Sequence, residues 1–270
     1  MLAERGATVA IVGRNRRRGE QLETDHSSPS NGEIRFHRAD LASQDAVRAL
    51  ATEIQSDYDR LDVIVHNAGL TARRRTETVD GIERTLAVNH LAPYLLTYQL
   101  LDVLWASSPS RVVVTASRIH RRGTLDFDDL QFERGCDGLQ AYARSKLANV
   151  AFTLELADRL DDDVTANCFH PGFVPSTNLF RDAAPWTRLT MRLVALLAGI
   201  GTSQRTGARR LVRLATDSLF GERTGLYVGG DGSERPAAAA RDPDVRERLW
   251  AESAALVGVD PQWPSLGCGD

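Results

Sequence analysis

Lysine is nearly absent from this chain of 270 residues: Lys146 is the only lysine among 33 basic residues, and all the others are arginine. Arginine therefore serves wherever the protein needs a general cation. A single lysine in such a sequence indicates a position that needs a compact ammonium and that a planar guanidinium does not suit. The alternative is that the one lysine has no special role.

Cysteine and long apolar runs are scarce as well. The three cysteines, at positions 136, 168 and 268, are far apart, and no CxxC pair or Cys/His cluster has metal-ligand spacing. We therefore predict no metal site, and reduced thiols as in a cytoplasmic protein. No stretch reaches the roughly 18 apolar residues of a membrane span, and charges interrupt the first residues before a signal peptide could form. The net charge of −3 predicts no nucleic-acid partner.

Apolar runs alternate with amphipathic segments along the sequence, which predicts an α/β fold with a doubly wound parallel sheet and helices on both faces. We interpret 1–270 as a single domain in which 263–270 form a frayed tail. Strands are predicted at 7–13, 34–38, 61–66, 111–117, 164–170 and 225–228, and helices at 43–57, 80–105, 140–160, 203–216 and 242–256.

Tyr142 and Lys146 lie four residues apart on a predicted helix and so point from one face. A free tyrosine hydroxyl has a pKa of about 10, and a neighbouring ammonium lowers that pKa because it favours the phenolate. An ammonium can also donate to two sugar hydroxyls at once. The pair predicts an acid–base tyrosine assisted by its lysine; the alternative is an ordinary surface pair.

Ser117 and Asn89 are further candidates. Ser117 ends a predicted strand, at the edge where ligands of open α/β sheets bind, so its hydroxyl could orient a substrate oxygen toward Tyr142; a simple turn serine is the alternative. Asn89 stands inside a predicted helix, where asparagine is a poor helix former. With Pro93 close by, it predicts a local distortion or a bound water near Lys146, against the alternative of a tolerated polar residue.

At these residues the sequence resembles the short-chain dehydrogenase/reductase family, and the resemblance covers nearly all of 1–260. The stretches VNHLAPYLLT, AYARSKLANVAFTLELADRL and HPGFV are most similar to the retinol-dehydrogenase-like branch. The motifs that carry the resemblance, in the family's order, are Asn67-Ala68-Gly69, Asn89, Ser117, Tyr142 with Lys146, and Pro171-Gly172.

The resemblance implies a Rossmann-type oxidoreductase that moves hydride between NAD(P) and a carbonyl or alcohol. Tyr142 would be the general acid/base, Ser117 would hold the reacting oxygen, and Asn89 would complete a proton relay through water. Lys146 would bind the nicotinamide ribose and lower the pKa of Tyr142. The remaining implied cofactor contacts are Asp40 and Leu41 on the adenine, Asn67, Ala68 and Gly69 on the adenosine side, and Pro171, Gly172, Val174 and Thr177 on the nicotinamide.

The charged residues that follow the strand predicted at 7–13 distinguish between NAD(H) and NADP(H) as the cofactor. NAD-specific sites place a carboxylate there for the ribose hydroxyls, whereas this chain has Gly13 followed by Arg14 and Arg16–Arg18. Four arginines and no acid suit a 2′-phosphate. We therefore predict NADP(H); NAD(H) and a merely solvated basic helix start are the alternatives.

The family's phosphate loop, TGxxxGxG, lies in relatives upstream of the segment that begins here at Met1, and no such pattern precedes Arg14. Its strand would stand between those at 7–13 and 61–66, so we expect a sheet that lacks its first strand. Two interpretations are open. Met1 is an internal methionine of a longer native protein, or the chain is a short non-catalytic product, a pseudo-enzyme or partner-binding remnant.

The segment 173–202 corresponds to the family's substrate lid. Its apolar residues indicate a lipophilic carbonyl or alcohol, although they suit ordinary lid packing equally, and the stripe at 189–200 also suits a membrane surface. The helices at 80–105 and 140–160 form the subunit interface of relatives, so the resemblance implies a homodimer or homotetramer. The apolar lid residues are Leu179, Phe180, Trp186, Leu189 and Met191.

Overall fold

Six parallel strands form two sheets in the computed structural model, which describes residues 1–26, 32–135, 137–161, 163–172, 202–230 and 232–264. One sheet has the order β1-β2, and the other has the order β3-β4-β5-β6. The strands are β1 (Val9–Gly13), β2 (Ile34–Arg38), β3 (Val63–His66), β4 (Ser110–Thr115), β5 (Val164–Phe169) and β6 (Tyr227–Val228).

The two sheets share one hydrophobic core. Ile64 of β3 belongs to that core, and Ala10 of β1 packs against it. Within the described residues no strand joins β1 to β3. The predicted doubly wound α/β fold is therefore confirmed, in the form expected for a sheet without its first strand.

Helices cover the sheets, and two of those predicted from the sequence begin at a capping side chain. The Ser43 hydroxyl accepts from the Ala46 N–H, and the Asp242 carboxylate accepts from the Asp244 N–H. The helices are α1 (Arg16–His26), α2 (Gln44–Asp57), α3 (Arg84–Leu86), α4 (Ala92–Gln99), α5 (Leu101–Ala106), α6 (Gly138–Arg159), α7 (Gln204–Thr216), α8 (Ala238–Arg241) and α9 (Pro243–Val257). In the described parts of the chain, no helix is long and apolar enough to cross a membrane.

The prediction of one continuous helix at 80–105 is wrong. The buried Glu83 carboxylate accepts from two backbone N–H groups and so starts the helix at Arg84. After α3 the chain enters a π-helical turn, Ala87–Leu91, and it breaks again at Leu100. Because Pro93 has no N–H, it cannot make the α-helical bond to the carbonyl of Asn89. The distortion predicted at Asn89 is thus confirmed.

Helix α1 was not among the predicted elements, because Leu22 is the only large apolar side chain in it and no apolar stripe marks it. It packs on β2 through a glycine instead. A Cβ atom at Gly19 would lie 2.2 Å from the ring of Phe36, so only glycine lets the helix approach the sheet this closely.

The chain after α9 is packed at Trp263, so the prediction that the frayed tail begins at residue 263 is wrong. The Trp263 indole N–H donates to the Tyr94 hydroxyl at 3.0 Å. Its ring lies 4.9 Å from that of Tyr94 and 4.4 Å from that of Trp250, measured between centroids. Residues 265–270 lie outside the described part.

Helix α9 also covers the two helices to which the resemblance assigns the subunit interface. The Trp250 ring of α9 lies 5.0 Å from Tyr94 on α4 and 5.9 Å from Phe152 on α6. That part of α4 and α6 is therefore buried by the chain's own C-terminal helix.

Replacing Trp263 with alanine is expected to lower the free energy of unfolding by about 2 kcal/mol, because a half-buried aromatic ring and its hydrogen bond are lost. Chemical denaturation measures this change. Val79→Ala is the matched control, since Val79 is 86% exposed. Equal stability of the two variants would mean that Trp263 does not hold α9 in place.

Candidate active site

Ser117, Tyr142 and Lys146 meet at the carboxyl end of β4. Ser117 follows the strand and caps the 3-10 turn Arg118–Arg122. The Lys146 Nζ atom, on α6, donates to the backbone carbonyl of Thr115 at 2.7 Å and lies 5.8 Å from the ring centre of Tyr142. The side chain of Ser117 lowers the pKa of the Tyr142 hydroxyl, as a hydrogen-bonding neighbour does. The structure thus places together three of the residues that the sequence singles out.

Burial governs the proton affinities of this cluster. It raises the pKa of Tyr142 to about 12, although the hydrogen bond with Ser117 acts in the opposite direction. It lowers the pKa of Lys146 to about 8. In this structure the pKa of Tyr142 is therefore raised, whereas the resemblance implies that Lys146 lowers it. Tyr142 is a protonated phenol at neutral pH, ready to donate.

Asn89 joins two parts of the site. Its Oδ1 accepts from the Leu70 N–H at 2.8 Å, and its Nδ2 donates to the Leu70 carbonyl and to Ser145 Oγ at 2.9 Å each. Both amide hydrogens are thus used, so the side chain cannot donate to a relay water. The backbone carbonyl of Asn89 receives no hydrogen bond from Pro93, which has no N–H. This backbone oxygen is therefore the group of Asn89 that could bind such a water. The relay itself stays a prediction.

Lys146 has donors left for a ligand. An ammonium has three N–H donors, and among the described residues only the Thr115 carbonyl takes one of them. Gly69 leaves the approach open, since a Cβ atom there would lie 3.6 Å from Nζ and 3.5 Å from the Asn89 Oδ1. Buried, unused donors beside an exposed glycine fit the two hydroxyls of a nicotinamide ribose.

The segment Asn67–Gly69 follows β3 and lies exposed beside this cluster. The Asn67 Oδ1 accepts from the Thr115 hydroxyl at 3.1 Å, so the segment is tied to the end of β4. Ala68 and Gly69 therefore stand at the same sheet edge as Ser117, as an adenosine-side wall requires.

An open groove lies at the carboxyl ends of β1 and β2, lined by Arg14, Asn15, Arg16 and Arg38. Parallel pairing of Gly13 with Arg38 places Arg14 and Arg38 side by side. Asp40 approaches the Arg14 guanidinium at 3.6 Å, and both side chains are more than 40% exposed. Leu41 packs against the core instead of lying free. The groove is a basic surface suited to an anionic group.

The loop after β5 begins with buried His170, whose Nδ1 accepts from the Gly172 N–H at 3.2 Å. Gly172 has a φ of 89°, which a side chain would disfavour. Pro171 and Gly172 thus follow β5 beside the end of β4, and their contact with the nicotinamide stays a prediction. Val174 and Thr177 lie outside the described residues.

Sequence reasoning missed three participants. Arg38 could have been found, because it ends a predicted strand parallel to the one before Arg14. Ser145, whose hydroxyl oxygen accepts from the Asn89 amide, lies inside the motif that runs from Tyr142 to Lys146. Glu234 contacts His170 from 64 residues away, and no local pattern marks it.

Comparison with known proteins identifies similar sequences. A sequence profile of short-chain dehydrogenases matches residues 1–188. Bovine "Dehydrogenase/reductase SDR family member 13" is 41% identical over 264 residues, which are 96% of this chain and 69% of that protein. Human "Retinol dehydrogenase 13" is 36% identical over 266 residues, 96% of this chain and 80% of that protein.

A solved structure is similar as well. An uncharacterised protein of Mycobacterium paratuberculosis superposes with a TM-score of 0.76 at 30% identity, over 97% of this chain and 88% of that one. The likeness in backbone thus extends over nearly the whole chain.

Proposed function

Because the chain belongs to the short-chain dehydrogenase/reductase family, and is therefore an oxidoreductase that uses a nicotinamide dinucleotide, we propose that it transfers hydride between NADP(H) and a lipophilic carbonyl or alcohol. The observation that supports this most directly is the cluster of Ser117 with the buried Tyr142 and Lys146, in which the lysine keeps donors for a sugar.

The residues divide the work at the reacting oxygen. Lys146 would hold the ribose hydroxyls with its remaining N–H donors, and the bound nicotinamide supplies or accepts the hydride. The Ser117 hydroxyl positions the substrate oxygen, and Tyr142 donates its proton to that oxygen as negative charge develops. The Lys146 ammonium stabilises the phenolate that remains. Oxidation of an alcohol uses the same groups in reverse order.

Purified protein with NADPH and octanal tests this function through the loss of absorbance at 340 nm. We expect turnover that requires both compounds. The function is contradicted if the rate does not exceed that of a variant without the Tyr142 hydroxyl.

NADP(H) is the proposed cofactor because three guanidinium groups, of Arg14, Arg16 and Arg38, line one groove. Guanidinium groups bind phosphate oxygens in pairs. Asp40 is the only carboxylate paired with Arg14 in the described residues, and this exposed 3.6 Å contact is weak enough for a phosphate to displace.

Replacing Arg38 with glutamine is expected to raise KM for NADPH about tenfold or more, because a charge-assisted hydrogen bond is worth about 1.5–3 kcal/mol. KM for NADH should change little, since NADH has no 2′-phosphate. Steady-state kinetics with both cofactors measure the difference. Arg35→Gln is the control on the same strand, because Arg35 pairs with Glu33. An equal loss for NADH would place the role of Arg38 elsewhere.

The remaining features are proposed on sequence grounds. The lid residues at 179–191 lie outside the described part, so the lipophilic substrate is supported by their composition and by the name of the human relative, a retinol dehydrogenase. A homo-oligomer is proposed from the family, with an interface other than the parts of α4 and α6 that α9 covers. A cytoplasmic location is proposed from the few, widely separated cysteines.

A further inference from the structure

A cluster of charged residues lies beyond Ser117, across the carboxyl ends of β4, β5 and β6. Glu234, which follows β6, accepts from the Arg118 guanidinium at 3.1 Å and from the His170 ring at 3.1 Å. Arg121 approaches the other oxygen of the same carboxylate at 3.9 Å. One carboxylate therefore serves two arginines and a histidine.

The histidine adds no charge to this cluster. The Nδ1 atom of His170 accepts from the Gly172 N–H, which leaves the proton of the neutral ring on Nε2, an atom that lies 3.1 Å from the Glu234 carboxylate and 3.2 Å from the Arg118 Nε. Burial also lowers the pKa of His170, although the hydrogen bond to Glu234 acts in the opposite direction. The ring is therefore a neutral bridge, and the balance of charge depends on the arginines.

Arg210 is a third guanidinium in this region. A Cβ atom at Gly172 would lie 3.2 Å from its Nη1, and one at Gly230 would lie 3.1 Å from its Nη2. Two glycines thus give it room between the loops that follow β5 and β6. Among the described residues no carboxylate lies within ion-pair distance of Arg210.

Among the residues that the structure describes, three guanidinium groups lie with one carboxylate in this cluster, which is an excess of positive charge. Arg118 immediately follows Ser117, and the side chains of Arg118 and Arg121 are 67% and 46% exposed. The excess charge is therefore open to a ligand at the substrate end of the site. It lies at the ends of β4 to β6, whereas the groove of Arg14 and Arg38 lies at the ends of β1 and β2.

We propose that Arg118, Arg121 and Arg210 form a subsite for an anionic group of the substrate, so that the enzyme prefers lipophilic carbonyl compounds that carry a carboxylate or a phosphate away from the reacting carbon. This inference rests on the proposed function. Arg210 is the main contact, because Arg118 and Arg121 already share Glu234.

Matched substrates test the subsite. 8-Oxooctanoate and octanal have the same chain and the same aldehyde, and they differ in the terminal carboxylate. For the wild type we expect kcat/KM to be about tenfold higher for the acid, as one charge-assisted hydrogen bond predicts. Arg210→Gln should remove most of this preference. Arg209→Gln is the control, because it removes the same charge from an exposed neighbour on α7 and should keep the preference.

A second readout does not depend on turnover. Octanedioate has two carboxylates and no aldehyde, and calorimetry should show that the wild type binds it more tightly than Arg210→Gln does. If neither aldehyde reacts but this difference in binding is found, the proposed function fails and the subsite stands.

Two results would overturn the subsite while leaving the function intact. In one, the wild type turns over both aldehydes with no preference for the acid. In the other, Arg210→Gln keeps the preference and instead raises KM for NADPH, which would assign Arg210 to the phosphates of the cofactor. Circular dichroism of each variant establishes that the protein is folded.

Discussion

Turnover by a Tyr142→Phe variant is expected to fall by about 10²–10⁴-fold, the range that a positioned general acid contributes. The variant loses only the hydroxyl, so the packing of its ring among the first residues of α6 is kept. Tyr142 is 8% exposed, and burial raises its pKa to about 12, so at neutral pH it holds the proton that the product oxygen needs.

The cofactor should still bind to this variant. Lys146 reaches the site through its own bond to Thr115, which does not involve Tyr142. Single-turnover kinetics with NADPH, together with the fluorescence of bound NADPH, separate chemistry from binding. Tyr98→Phe is the matched control, because Tyr98 packs against Trp263 and away from the site. Wild-type rates in Tyr142→Phe would show that another group supplies the proton.

A Lys146→Met variant is expected to be inactive and, at pH 7, more stable than the wild type. Burial lowers the pKa of Lys146 from 10.5 to about 8, so keeping it charged in the folded protein costs about 3 kcal/mol at 1.36 kcal/mol per pKa unit. Methionine removes that cost but leaves the Thr115 carbonyl without its partner, which costs about 1–2 kcal/mol. The net gain is about 1–2 kcal/mol.

The stability advantage of Lys146→Met over the wild type should grow as the pH falls. Above pH 10.5 the lysine is neutral in both the folded and unfolded states, so the methionine has no electrostatic advantage. As the pH falls to about 8 the unfolded chain binds a proton that the folded protein resists, and the advantage grows. Below about pH 8 it is complete. Denaturant titrations at pH 7 and pH 10.5 measure the two limits. A variant that is less stable at pH 7 would show that Lys146 contributes to folding as well as to the site.

Much of the fold follows from local patterns. Buried strands such as Ser110–Thr115, with its three consecutive valines, are short apolar runs between polar turns, and Ser43 marks the start of α2 in the usual way. Helix α1 escapes this reasoning because it packs through Gly19 rather than through an apolar stripe.

In the site, too, local features can be predicted from the sequence and long-range contacts cannot. The spacing of Tyr142 and Lys146 on one helix is a local property, so the sequence reveals it. The contact of Trp263 with Tyr94 joins residues 169 positions apart, and Glu234 reaches Arg118 across 116. Contacts of this kind depend on how whole helices and strands pack, and the periodicity of apolar residues in the sequence does not predict them.

The pKa values depend on packing too. From the sequence, Lys146 should lower the pKa of Tyr142; in the folded chain, burial is the largest influence on both groups and raises the pKa of Tyr142. The proximity of two residues can be read from their spacing, but the dielectric environment around them cannot.

Lys146 also carries the only side-chain amine of the protein. Reagents that attach to amines, such as isotope-labelled formaldehyde in reductive methylation, find one side chain to modify, and that side chain stands at the reacting centre. The labelled lysine would then give one side-chain resonance, beside that of the N-terminal α-amine, and it would report on ligands entering the site. The arginines on the surface are inert to the same reagents, so cross-linkers that react with amines have only the N-terminal α-amine to attach to outside the site.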